Sequence, residues 1–201
     1  NYEEYSYKVS AIDTAGNISN LSESVSGIPY STNNDFSLEF NGGYVTVSDQ
    51  FSNESLPVGN ESRTLTAWFR LRNRDPQAIV SYGSQGDELA CGITIHNDAV
   101  CASFWSNDLV SPEPVDIWTD ESAENGNNGW VHAAFTYDND GGVRKLYVNG
   151  VVVAQDAGWE VNTTLNGSLD IGKWRNNSMP ADGRIDEVSI WNRALTNEEI
   201  N

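Results

Sequence analysis

Period-two alternation, repeated in short runs, constrains this chain more than any other feature. Leu65, Ala67, Phe69 and Leu71 share one face of a run whose other face carries Thr66, Trp68, Arg70 and Arg72. Val131, Ala133, Phe135 and Tyr137 alternate in the same way with His132, Ala134 and Thr136. Successive strand side chains point to opposite faces, so each run predicts a strand with one buried face. Shorter runs surround Phe40, Val45, Ile79, Leu146, Leu169 and Ile185, and turn residues such as Asn41-Gly42-Gly43 and Asp138-Asn139-Asp140-Gly141-Gly142 separate them. Asn149-Gly150 predicts a tight hairpin, because both central residues of the favoured turn need positive φ. Only the chain's end reads as helical, where Thr196 and Glu199 have capping-box spacing. Many short strands without helices predict an all-β, two-sheet antiparallel β-sandwich of jelly-roll type.

Charge narrows the partners. The 201 residues carry 11 basic and 29 acidic side chains, a net charge of -18. Phosphate neutralisation needs a basic footprint, so nucleic acid is excluded as a partner. The same charge opposes docking on anionic membranes, and no run of 18 apolar residues suggests membrane insertion. The composition fits a secreted or cell-surface protein, and a bacterial source is expected. The opening Asn1-Tyr2-Glu3 reads as the start of a piece of a longer chain, in which this part would be monomeric.

Cys91 and Cys101 are the two cysteines. The segment between them predicts a hairpin with its turn near Asn97-Asp98. That hairpin is expected to bring the sulfurs together in a disulfide, contributing roughly 2–3 kcal/mol. Two free buried thiols are the alternative. No CxxC is present, and two cysteines alone cannot build a zinc site.

Residues 1–28 differ from the rest. Tyr5-Ser6-Tyr7-Lys8-Val9-Ser10-Ala11-Ile12-Asp13-Thr14-Ala15-Gly16-Asn17 alternates and then turns, and a second strand-like run reaches Gly27. This ending resembles the last two strands of a bacterial fibronectin type III module, too short to build its own core. Residues 29–201 are expected to form the main domain. Within it, residues 106–129 read as a long polar loop around Trp118, of the kind that is more often functional than neutral.

Several segments of the main domain resemble the laminin G-like, concanavalin A-like jelly-roll family. They are Leu38-Glu39-Phe40-Asn41-Gly42-Gly43-Tyr44-Val45-Thr46-Val47, Leu65-Thr66-Ala67-Trp68-Phe69, Gly129-Trp130-Val131-His132-Ala133-Ala134, Leu146-Tyr147-Val148-Asn149-Gly150 and Asp186-Glu187-Val188. The resemblance spans roughly residues 36–200. It implies a secreted binding scaffold, often tied to carbohydrates and often holding one structural calcium. Carried over, the calcium ligands would be Asn41, the Gly43 carbonyl and Asp186. Calcium takes six to eight oxygens, so further ligands would be needed. Asn41 stands where relatives often have Asp, and without the resemblance Asp186 also reads as an edge carboxylate facing water.

The seven tryptophans point to function. Trp68, Trp130 and Trp191 fall on pattern positions of the family and are assigned to the framework. Trp105, Trp118, Trp159 and Trp174 do not, and exposed aromatic rings in a groove stack on sugar rings; Trp105, Trp118 and Trp174 are the candidates. Lys173 and Arg175 flank Trp174 and suggest recognition of a carboxylate or sulfate; His96, at the cysteine hairpin, completes the candidate set. Glycoside cleavage needs two facing carboxylates, and the Glu-x-Asp-x-x-Glu strand of related hydrolases is absent. The sequence therefore predicts a non-catalytic carbohydrate-binding module for a polysaccharide, with an anionic one in view. A protein-interaction or adhesion module is the alternative. The choice turns on whether Trp105, Trp118 and Trp174 are exposed on one concave surface.

Overall fold

The computed structural model describes residues 5–7, 25–27, 37–47, 56–73, 75–112, 129–164 and 168–201. It divides into two units, Asn1–Ser37 and Leu38–Asn201. The sequence reading placed that division after residue 28. In the first unit β1 (Tyr5–Tyr7) pairs antiparallel with β2 (Val25–Gly27), Ser6 opposite Ser26.

The second unit is a sandwich of two six-stranded antiparallel sheets. Its strands are β3 (Leu38–Asn41), β4 (Val45–Val47), β5 (Arg63–Leu71), β6 (Gln77–Gly83), β7 (Ala90–His96), β8 (Ala99–Ser103), β9 (Leu109–Val110), β10 (Val131–Asp138), β11 (Val143–Val148), β12 (Val151–Asp156), β13 (Leu169–Ile171) and β14 (Asp182–Trp191). One sheet runs β12-β11-β10-β5-β14-β3 and the other β4-β13-β6-β7-β8-β9. β3 and β4 sit in different sheets, so Gly42-Gly43-Tyr44 carries the chain from one layer to the other.

The alternation read from the sequence sets the core. Leu65, Ala67, Phe69 and Leu71 of β5 and Val131, Ala133, Phe135 and Tyr137 of β10 are buried between the sheets. Ile79, Val80, Ile93, Ile95, Val100 and Ala102 meet them from the opposite layer. Phe135 and Phe104 touch edge to face across the gap, 5.2 Å between centroids. Burial of each large apolar side chain contributes about 1.5–3 kcal/mol. The Asn149-Gly150 turn joins β11 to β12 with both φ angles positive, as the hairpin signal requires. The helix α1 (Asn197–Ile200) is the one expected at the chain's end, with the Thr196–Glu199 capping box formed in both directions.

The disulfide expectation is overturned. β7 and β8 do form a hairpin turning at Asn97-Asp98, but Cys101 lies opposite Thr94, not opposite Cys91. Cys91 belongs to the core between the sheets. Cys101 shares the face of Thr94, the outer one, because strand neighbours alternate. The sulfurs are therefore on opposite faces of the sheet, and both thiols are free and buried.

Candidate functional site

The outer face of the β10-β5-β14 region holds a groove of about 660 Å³. Its floor is built by strand register. His132 of β10 lies opposite Trp68 of β5, and Trp68 lies opposite Asp186 of β14. Thr66 and Ser189 form the next row. Directly opposed residues share a face, so these side chains line one surface. Trp68 and His132 are half-buried, with ring centroids 5.1 Å apart and planes at 38°.

A β-bulge makes that surface possible. The β14–β5 register shifts between Asp186 and Ser189. Gly183 and Ile185 point into the sandwich before the shift, and Val188 and Ile190 pack against the core after it. One extra residue has reset the alternation and turned Ser189 and Trp191 outward. Glu187, in the bulge, has φ of +48° and is exposed at the groove. A left-handed Glu is a conformational cost, and such costs cluster at functional sites.

The walls come from the Asn149-Gly150 turn and from the chain's end. Asn149 is fixed by two hydrogen bonds to His132: His132 N–H donates to its Oδ1 at 2.9 Å, and Asn149 N–H donates to the His132 carbonyl at 2.8 Å. Thr64 Oγ1 donates to the Arg193 carbonyl and accepts from Leu195 N–H, which ties the last segment to β5. Leu195 and Ile200 then pack with Ala134 and Tyr147, and Trp191 lies against them. Gly150 approaches Asn201 so closely that a Cβ would collide with the Asn201 side chain.

Electrostatically the lining carries the Glu187 and Glu199 carboxylates and one imidazole. Burial lowers the pKa of His132, so the ring is neutral at pH 7, able to donate with one nitrogen and accept with the other. Glu199 is held down to about 2 by the Arg193 guanidinium and its capping bonds. Half-buried indoles, a neutral imidazole, an exposed carboxylate and an amide turn can together stack on and hydrogen-bond a sugar ring.

The residues nominated from the sequence lie elsewhere. Trp174 is 6% exposed, on the outer face of the other sheet, over Ala78 and Ala90 and against Gly92. Trp105 stacks on it at 6.4 Å and is itself 37% exposed. Trp118 lies outside the described residues. Lys173 and Arg175 do not reach solvent as a pair of free cations. Both engage the buried carboxylate of Asp170, Lys173 also capping the Tyr44 ring and Arg175 also donating to the Gly83 and Ser168 carbonyls. His96 is half-buried at the far end of β7, four residues and roughly 13 Å from Gly92. The structure thus joins Trp105 to Trp174 and leaves His96 apart.

The residues proposed for calcium do not form one site. Asn41 lies opposite Asp182, and Asp186 is four residues further along β14, roughly 13 Å away. The carboxylate beside Asn41 is Asp182, and a guanidinium already serves it. Arg72 Nη1 donates to Asp182 Oδ1 at 2.9 Å and to the Phe40 carbonyl at 3.1 Å, and its Nη2 pairs with Glu39. Asn73 Nδ2 donates to the other Asp182 oxygen at 2.8 Å. Among the described residues no three of His, Cys, Asp and Glu cluster as metal ligands.

Comparison with known proteins bears on this fold. The family model described as the concanavalin A-like lectin/glucanase superfamily matches residues 39–201. The chain belongs to that superfamily. The lectin/glucanase fold extends to solved structures at low identity. A candidate carbohydrate-binding protein from Bacteroides ovatus shares 18% identity at a TM-score of 0.57, covering 82% of this chain and 45% of its own. The Ruminococcus gnavus IT-sialidase CBM40 bound to α2,3-sialyllactose shares 15% identity at a TM-score of 0.55, covering 72% and 82%. Domain 4 of a GH43 extracellular arabinanase from Geobacillus stearothermophilus, in complex with arabinotriose, shares 18% identity at 0.54, covering 96% and 79%. This chain thus spans less than half the length of the Bacteroides protein. No curated protein sequence matches the chain.

Of the groove residues, the sequence assigns Trp68 and Trp191 to the framework. The available signal was position: Trp68 and His132 both fall on the polar half of an alternating run, where a large ring has no core to fill.

Proposed function

We propose that the second unit is a non-catalytic carbohydrate-binding module of a secreted multidomain protein, and that it takes a neutral polysaccharide along the Trp68–His132 groove. The observation that carries this reading is the pairing of those two rings on an outward face, flanked by hydrogen-bonding groups at Asn149, Glu187 and Ser189. The neighbours that hold sialyllactose and arabinotriose on the same fold support a carbohydrate ligand. The carboxylates of the lining support a neutral ligand. The engagement of Glu199 supports binding without hydrolysis. Its carboxylate is occupied by Arg193 and held ionised, so it cannot serve as the acid of a glycosidase pair with Glu187.

The first unit, by its antiparallel β1–β2 pair, is read as the end of a fibronectin type III spacer. The adhesion alternative rests on a different observation, the exposed Tyr44, Val45 and Val47 at the β4 edge.

The test is a tryptophan-fluorescence titration of the full chain with neutral and anionic polysaccharides. A saturable shift with a neutral glycan, lost in Trp68→Ala, is expected. Binding of anionic glycans alone, or wild-type affinity in Trp68→Ala, would remove the groove from the account.

A further inference from the structure

A second aromatic feature lies on the other side of the sandwich, and the groove does not explain it. Trp105 follows β8 with φ of +78°, a left-handed backbone that bulky side chains rarely adopt. Asn107 is left-handed as well, at +56°, and the Ser106 hydroxyl between them is buried without a partner. Three successive residues thus carry local costs, and such a loop persists only where its surroundings over-determine it.

The surroundings do so. The Asp108 carboxylate accepts from Phe104 N–H at 2.8 Å and from Ser103 Oγ at 3.0 Å. Asn107 Nδ2 donates to Glu88 at 2.9 Å, and the Asn107 carbonyl accepts from Arg144 Nη1 at 2.7 Å. Arg144 is itself buried, paired with Asp156 and packed on the Trp159 ring at 4.3 Å. What this anchored loop presents is one partly exposed indole. Trp105 lies on Trp174 at 6.4 Å with planes 30° apart, and Trp174 rests on Ala78, Ala90 and Gly92. Small residues under a large ring, and a second ring on top, give a rigid two-layer platform.

We propose that Trp105 is a second saccharide-contact site, a flat stacking platform for a neutral polysaccharide, separate from the Trp68 groove and on the outer side of the opposite sheet. The proposal rests on the carbohydrate reading of the groove. An exposed indole, already immobilised, loses little conformational freedom on stacking against the apolar face of a sugar. Among the described residues, the cations that flank Trp174, Lys173 and Arg175, serve Asp170, so the platform favours an uncharged chain. Two contacts on one domain raise retention on a polymer through effective concentration, without a change in either site.

The experiment compares the full-length wild-type chain with Trp105→Ala, Trp105→Phe, Trp68→Ala and the double Trp68→Ala/Trp105→Ala variant. The probes are arabinan and a neutral β-glucan, each as polymer and as trisaccharide, read by calorimetry and by polymer pull-down. Trp105→Ala is expected to halve the trisaccharide stoichiometry and to weaken polymer retention roughly tenfold or more, with Trp105→Phe recovering most of it. Trp68→Ala retains weak polymer binding that the double variant loses. Wild-type stoichiometry and retention in Trp105→Ala would overturn the platform and leave the groove standing. Unchanged binding in Trp68→Ala with loss in Trp105→Ala would remove the groove and keep the platform. A wild-type chain that binds neither probe in either form would overturn both.

Discussion

His132 lies opposite Trp68 in the β10–β5 register, their ring centroids 5.1 Å apart. The contact removes part of the imidazole from water, and burial holds its pKa below the ordinary value of 6.5. Above that value both folded and unfolded chains hold a neutral ring. As pH falls through it, the unfolded chain gains a proton that the folded chain resists, so stability declines and levels off only below the folded pKa.

The first prediction follows. The His132 ring-proton resonances are expected to titrate below 6.5 in the wild type and to move up in Trp68→Ala, where water reaches the ring. The melting temperature of the wild type should fall between pH 7 and 5 more steeply than that of His132→Gln. Identical titration midpoints in wild type and Trp68→Ala would show that the indole does not set the burial.

The strands that build this pair were legible in the sequence, and the site was not. Alternation at Leu65–Leu71 and Val131–Tyr137 identified which residues face the core, because period two needs no knowledge of partners. Asn149-Gly150 and Thr196–Glu199 were equally local signals, and both elements formed. What alternation cannot say is what covers the outward face. Trp174 was a candidate for stacking on a sugar if exposed, yet it lies on Ala78, Ala90 and Gly92, small residues from strands far away in sequence. The bulge at Glu187 was hidden for the same reason: a reset of phase appears only when β14 is laid against β5. Lys173 and Arg175 looked like free cations beside Trp174 until the fold placed the Asp170 carboxylate between them.

Asp170 supports a second prediction. Its side chain is 2% exposed and accepts from Thr46 and Ser168 as well as from Arg175. Replacing it with Asn leaves two largely buried cations without their counter-charge, which costs about 3–5 kcal/mol. Urea denaturation of Asp170→Asn should show that loss, and adding Arg175→Met should recover part of it. A midpoint within experimental scatter of the wild type would mean that water already screens the cluster.

The cysteines give a third. Desolvation pushes the Cys91 thiol up to about 11 and the Cys101 thiol up to about 12, so neither forms thiolate at neutral pH. Native protein should react negligibly with a thiol-specific chromogenic reagent, and unfolded protein should release two equivalents. Reductant should leave the melting temperature unchanged. A single unfolded species without free thiol would establish the bridge that the β7–β8 register opposes.

Gly92 provides the last prediction, because it links core packing to the Trp105 surface. Its backbone angles are ordinary, so the requirement for glycine here is spatial and not conformational. A Cβ on Gly92 would collide with the Val80 carbonyl and would stand 2.8 Å from Trp174 Cζ3. Val80 belongs to the paired neighbour strand, so a methyl group here strains the β6–β7 pairing as well as displacing the indole. Gly92→Ala is therefore expected to destabilise the fold by about 1–3 kcal/mol through overpacking. The displaced Trp174 no longer supports Trp105, so polymer retention should fall as it does in Trp105→Ala, while trisaccharide binding in the Trp68 groove persists on the other face. Stability and retention both unchanged in Gly92→Ala would show that Trp174 relaxes without cost, and that the two-layer stack is not what holds Trp105 in place.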